Sequence, residues 1–159
     1  MKRYLRHLTP RKIDVLVYRI TQSDLVPVAD PGFVVQKTVS GNLMKYFIQD
    51  NGTFVHESYL FPKLHLLKLL DRKGPAIGQC VTSEQYRGKS IYPFVINKIA
   101  RETLDSGHDE VFIVVNVDNI ASIKGIEKAG FKKYAQISAV KRFGVFWNPV
   151  VSWQSQSRQ

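Results

Sequence analysis

The sequence predicts one mixed α/β domain, and three features carry that expectation. Asn51-Gly52 between two β-rich runs marks a hairpin. Val111-Phe112-Ile113-Val114-Val115 is an unbroken apolar, mostly β-branched run, the mark of a strand buried on both faces. Two segments of helical periodicity flank that run, so a βαβα unit lies at the centre of the chain.

Composition sets the bounds. At 159 residues the chain is long enough for one substantial core, and 44% hydrophobic content excludes a disordered polymer. The longest purely apolar run is far too short to span a bilayer. Arg11, Lys12 and Asp14 stand where a signal peptide would carry its apolar region, so a cytoplasmic protein is expected. A lone Cys80 permits neither an internal disulfide nor a cysteine-based metal site, and no metal is expected. Lysine and arginine outnumber acids 23 to 13, with clusters at 2–12, Lys132-Lys133 and Lys141-Arg142. That balance fits anionic partners: a phosphorylated cofactor, a nucleotide-linked substrate, an acidic carrier protein or nucleic acid. Charge that merely aids solubility fits it equally well.

The elements follow in order. Residues 1–12 are a polar, basic lead-in, and Ile13, Val15, Leu16 and Val17 make 13–20 a strand. From 21 to 42 the pattern weakens, with Pro27, Pro31, Gly32 and Gly41 as breakers. Asp24-Leu25-Val26 and Phe33-Val34-Val35 each fit one helical turn or a short extended piece. Strands at 43–48 and 53–61 flank the Asn-Gly turn, and in the second His56 alternates with Glu57. Leu64, Leu67 and Leu70, beside Leu66 and Leu69, predict a short amphipathic helix packed on the core.

Residues 76–82 read as a strand in which Gly78 marks a bulge or a close ligand approach. Ile91, Val95 and Ile99, with Tyr92, Ile96, Ala100 and Leu104 one residue around, predict a helix capped by Ser90. Pro93 falls in its first turn, where no N–H is needed. The buried strand covers 110–117. Asp118 or Asn119 caps a second helix, with Ile120, Ile123 and Ile126 inward and Gly130 at its end. Strands at 131–140 and 144–153 and a polar tail, 154–159, complete the chain.

The turn from Glu84 to Tyr92 is the chemically loaded stretch. A strand that turns through Arg87-Gly88-Lys89 into a helix presents free backbone N–H groups at the positive end of the helix dipole. Such a turn is a cradle for phosphate.

Two segments resemble the GNAT superfamily of acyl-CoA N-acyltransferases. The first is the family's pyrophosphate loop, Arg/Gln-x-x-Gly-x-Gly/Ala, matched by Arg87, Gly88, Lys89, Ser90, Ile91 and Tyr92. Ser90 replaces the second glycine, and Tyr92 replaces the last small residue. The second is Asn119-Ile120-Ala121-Ser122 followed by Glu127-Lys128-Ala129-Gly130-Phe131, which agrees with the family's form in spacing. Ile126 stands where many members carry the tyrosine thought to protonate the leaving thiolate. One basic turn alone is weak evidence. Two segments separated by one helix and one buried strand are strong.

The resemblance implies a central mixed, mostly antiparallel sheet of about seven strands, flanked by helices and splayed between the fourth and fifth. Residues 76–143 would form the acyl-CoA core and 1–75 the acceptor side of one domain. It further implies acetyl-CoA or another acyl-CoA as co-substrate, lying along Cys80, Val81 and Thr82. The N–H groups of 87–92 would hold the pyrophosphate, with Arg87 and Lys89 adding charge, and Asn119 and Ser122 would position the pantetheine arm. A backbone N–H around Val81 would stabilise the oxyanion formed when an amine attacks the thioester. Glu57 and His56 are the candidate bases, and because strand neighbours face opposite ways only one lines the cleft. Cys80 reads as a small buried residue, not a nucleophile.

The leading expectation is an N-acetyltransferase acting on a small amine in a ternary complex, with a nucleotide-linked amino sugar favoured by the charge. The alternatives are a non-catalytic acyl-CoA sensor, which the missing tyrosine favours, and transfer from an acyl carrier protein. Nucleic acid is not expected, since no aromatic-basic platform or groove-reading helix is recognisable. A membrane partner is not expected either, and a homodimer is left open.

Overall fold

The structure is a computed structural model and describes residues 10–154. Its strands are β1 (Arg11–Ile20), β2 (Gln36–Ser40), β3 (Leu43–Asp50) and β4 (Thr53–Phe61). After these come β5 (Ala76–Thr82), α1 (Ile91–Asp105), β6 (Val111–Asn116), α2 (Ile120–Lys128), β7 (Lys132–Arg142) and β8 (Val145–Trp153). All eight strands join one sheet in the order β2-β3-β4-β5-β6-β1-β7-β8, antiparallel except for β5 and β6.

Alternation along each strand splits the core into two layers. Leu16, Tyr18 and Ile20 of β1 and Val111, Ile113 and Val115 of β6 face α1 and α2. Val15, Val17 and Phe112 face the other way, onto Leu66, Leu67 and Leu70. The first strand of the chain lies in the middle of the sheet, between β6 and β7. Burial on both sides suits its run of Val, Leu and Ile.

Four sequence expectations are corrected. The sheet has eight strands, not about seven, because Gln36–Ser40 folds back on β3 through Gly41 (φ 64°). Every residue of that strand is exposed, so its sequence carries no apolar alternation to announce it. The leucine stripe forms a 3₁₀ helix, His65–Leu70, in place of an α-helix; Asp71, in the left-handed region, stops it within two turns. Its core role is as expected, with Leu66, Leu67 and Leu70 buried. Ile120, expected inward on α2, is 55% exposed. Ser90 precedes α1 at φ 59° but makes no side-chain cap. The unsettled stretch resolves into a 3₁₀ turn at Gln22–Asp24, while Phe33-Val34-Val35 has no regular structure.

The α1 stripe is buried as expected at Ile91, Val95, Ile96, Ile99, Ala100 and Leu104, and Pro93 sits in the first turn. Asn119 is the α2 cap, its Oδ1 accepting from the Ser122 amide at 3.2 Å. Gly130 closes that helix at φ 96°, where a Cβ would lie 2.8 Å from the Asp24 carbonyl. Asn97 ties these parts together: its Nδ2 donates to the carbonyls of Val26 (3.0 Å) and Ala129 (2.9 Å). Among the described residues no helix is long and apolar enough to cross a membrane.

Between β5 and β6 the sheet opens. They pair only at Ala76↔Phe112 and Ile77↔Ile113. Just beyond, β5 bulges, with Gln79 at φ 51° and a register shift against Glu57 and Tyr59 of β4. Gly78 lies beside the bulge, where a Cβ would meet the Phe61 ring at 3.3 Å. A buried polar chain braces the bulge from below. His56 is fully buried, with Nδ1 2.7 Å from Thr82 Oγ1 and Nε2 2.8 Å from Ser58 Oγ. Burial drives its pKa down to about 4, outweighing the nearby Glu57 carboxylate.

Two outcomes follow from these contacts. Asn97→Leu leaves the buried Ala129 carbonyl and the part-buried Val26 carbonyl without this donor and should lower the unfolding free energy by about 2 kcal/mol in urea titration; unchanged stability would contradict the tie. For His56 the folded pKa lies below the unfolded one, so its contribution is complete above the ordinary value of 6.5 and is lost as pH falls toward 4. Parent protein should therefore lose roughly 3 kcal/mol more than His56→Gln between pH 7 and 4. Parallel urea curves across that range would rule out a neutral, buried imidazole.

Candidate functional site

The splay opens into a cleft of about 700 Å³ between β5, the turn at 84–90 and the starts of α1 and α2. Its floor on the sheet side is Cys80, Val81 and Thr82. From Gly78 onward the edge of β5 that faces β6 has no strand partner, so backbone groups there are open to an extended ligand, apart from the Gly78 and Thr82 carbonyls that accept from Cys80 Sγ and Arg87 Nε.

The turn supplies the anion-binding character. Tyr86 and Arg87 amides close a 3₁₀ turn on Ser83 and Glu84, and the first α1 amide to find a carbonyl is that of Phe94, on Ser90. Between them, the amides of Gly88, Lys89, Ser90, Ile91 and Tyr92 donate to no described residue. Gly88 (φ 77°) and Ser90 (φ 59°) both adopt left-handed backbone, which curls this run of N–H groups into a concave nest at the helix start.

Cationic side chains rim the cleft unevenly. Arg87 is well exposed, its Nε donating to the Thr82 carbonyl at 3.3 Å and its guanidinium 3.6 Å from Glu84. Lys89 does not line the cleft; its ammonium sits 4.8 Å from the Tyr86 ring centroid. Lys124 and Lys128 of α2 take that place, and Lys128 Nζ donates to Ser90 Oγ at 2.7 Å. This bond uses the hydroxyl expected to cap α1, and it joins the two helix ends across the cleft. Sequence reading passed over both lysines as site residues. Their i, i+4 spacing on a helix that opens at Asn119 was the available signal.

Ser122 and Asn119 lie on the far wall, at the start of α2. Gly125, one turn on, is bare because Tyr92 needs the space: a Cβ there would lie 2.5 Å from the Tyr92 ring. The tyrosine that departs from the loop pattern therefore packs toward α2, with the Cδ1–Cε1 edge of its ring against Gly125. Ile126, the next residue, is fully buried and faces the core.

The two candidate bases lie on opposite faces of β4. His56 points toward α1, its ring 6.2 Å from that of Tyr92, with both nitrogens engaged. A neutral imidazole so held is suited to fixing Thr82 and Ser58 and poorly placed to take a proton from an acceptor. Glu57 lies on the other face, directly across from Val81 in the sheet register, with its carboxylate 2.6 Å from Lys45 Nζ. Cys80 is half-buried, with Sγ 3.6 Å from the Gly78 carbonyl, and burial pushes its thiol up to about 11. It is a protonated thiol at neutral pH. Among the described residues no group of His, Cys, Asp or Glu is arranged to hold a metal ion. A shallower depression of about 600 Å³, lined by Thr21, Ser23, Asp105 and Asp109, has no lysine or arginine in its walls.

No family model and no curated protein sequence matches the chain. Solved structures do. An acetyltransferase of the GNAT family from Colwellia psychrerythraea superposes with a TM-score of 0.58 at 13% identity, over 86% of this chain and 58% of that one. A protein assigned to the GNAT family from Novosphingobium aromaticivorans gives 0.59 at 14% identity, over 80% and 63%. An X-ray structure of a Drosophila protein gives 0.62 at 11% identity, over 89% and 55%. The chain thus spans between 55% and 63% of the length of these proteins. Likeness at such identities is a likeness of architecture, and it agrees with the two sequence segments read above. The chain has the fold of the GNAT-family acetyltransferases.

Proposed function

We propose that the protein transfers an acetyl or other short acyl group from acyl-CoA to the amine of a small acceptor, by direct attack in a ternary complex. The observation that carries this reading is the nest of free amides at 88–92, opening onto a strand edge without a partner. An anion and an extended, amide-bearing arm are what those two features together can hold, and the donor set fits acyl-CoA on both counts. In this reading Gly88 to Tyr92 donate to the pyrophosphate and Arg87, Lys124 and Lys128 balance its charge. Lys89 adds to the field from outside the cleft. The exposed β5 edge at Val81 and Thr82 pairs with the pantetheine amides, and Asn119 and Ser122 hold the arm from α2.

Acyl-CoA supplies the activated carbonyl; the chain supplies orientation and charge. An amide N–H at the β5 bulge, beside Val81, stabilises the oxyanion. Glu57, on the face opposite the nest, is the base for an ammonium approaching from that side, and Lys45 holds its carboxylate in place. The basic composition favours an acceptor with its own negative charge, of which a nucleotide-linked amino sugar is one. The buried Ile126 favours one rival, a CoA-binding module without catalysis.

Acetyl-CoA at a hundred times its dissociation constant should raise Tm by about 5–10 °C. Arg87→Glu should abolish that shift, and an unchanged shift would reject the pyrophosphate assignment. Free-thiol release with a panel of amines separates enzyme from sensor. Glu57→Gln should cut kcat by about a hundredfold or more while leaving CoA affinity intact; full activity removes Glu57 as the base.

A further inference from the structure

Thioester aminolysis must expel a thiolate, and the cleft contains few groups able to receive it. Ser90 accepts from Lys128, Thr82 is held by His56, and the Tyr86 hydroxyl donates to Asp50 at 3.1 Å. Lys124 and Lys128 line the cleft too, but in the acyl-CoA reading they are committed to the pyrophosphate. The Cys80 thiol donates to the Gly78 carbonyl. One phenol remains. Tyr92 lines the cleft, its hydroxyl bonds to no described residue, and its ring is held between Gly125 and the buried His56. The Ser122 hydroxyl also lacks a side-chain partner, but it stands in the first turn of α2, on the far wall of the cleft.

The seat of that ring is specific. Glycine inside a nine-residue helix costs about 1 kcal/mol against alanine, so Gly125 weakens α2 to make room for Tyr92. The phenol lies near Cys80, on the stretch of β5 that would carry the pantetheine end. Burial keeps the phenol protonated throughout the neutral range.

We propose that Tyr92 is a catalytic residue whose hydroxyl donates to the acyl-donor sulfur as the thiolate departs. This rests on the acyl-CoA reading above. As the carbon–sulfur bond breaks, its electron pair goes to sulfur and the Tyr92 proton is delivered there, giving the free CoA thiol. The phenolate regains a proton from the one released by the attacking amine, so the reaction consumes amine and acyl-CoA and yields amide and thiol. Tyr92 acts from α1 and reaches over Gly125, whereas α2 offers only the buried Ile126.

The test uses calorimetric binding of two probes, CoA and desulfo-CoA, with Tyr92→Phe, which keeps the ring on Gly125 and removes the hydroxyl. Parent protein should bind CoA about tenfold more tightly than desulfo-CoA, and Tyr92→Phe should lose that preference while its desulfo-CoA affinity stays the same. Its kcat with acetyl-CoA should fall at least about tenfold. Equal loss for both probes, or no loss and an unchanged kcat, overturns the role of Tyr92 and leaves the acyl-CoA reading standing. Parent protein that binds neither probe overturns the acyl-CoA reading itself.

Discussion

The structure depends on one interrupted strand pairing. Between β5 and β6 the sheet keeps only two residue pairs before the bulge at Gln79 turns β5 aside. Unpaired backbone groups in a sheet interior are costly, and they are retained here on both sides of an open cleft. The remaining strands compensate: β1 is buried between β6 and β7, and the β4–β5 pairing resumes past the bulge at Glu57↔Val81 and His56↔Thr82. A gap in a sheet survives only where its margins are this well held.

Each margin is held by polar side-chain contacts. Below the bulge, the imidazole of His56 links Thr82 to Ser58, and its depressed pKa is the mark of a group chosen for hydrogen bonding, not charge. Across the cleft, Lys128 reaches from the end of α2 to Ser90 at the start of α1. Farther out, Asn97 fastens Val26 and the end of α2 to the middle of α1. The amide nest thus sits on a helix whose position is determined from three sides.

Charge and polarity divide the sheet into two working faces. The α1–α2 face holds the amide nest with Arg87, Lys124 and Lys128. The opposite face holds the Lys45–Glu57 pair, with the Lys45 ammonium near the rings of Phe47 and Tyr59. A splayed sheet lets two ligands approach one point from opposite faces, which is the geometry a direct transfer in a ternary complex requires.

Much of this was legible in the chain itself. Asn51-Gly52 determined its hairpin, the i, i+4 stripe from Ile91 to Leu104 determined α1, and the β-branched run determined β6, because each rests on local periodicity or a local turn. The nest was legible too, since a strand, a basic turn and a helix start suffice to expose amides. Gln36–Ser40 was not, because an exposed edge strand is specified by its partner and not by its own residues. Nor could sequence tell that Lys128 and not Lys89 lines the cleft, that His56 is saturated, or that the glycine at 125 exists for Tyr92 at the start of another helix. Most of those rest on contacts between residues 26 to 38 positions apart, decided by packing.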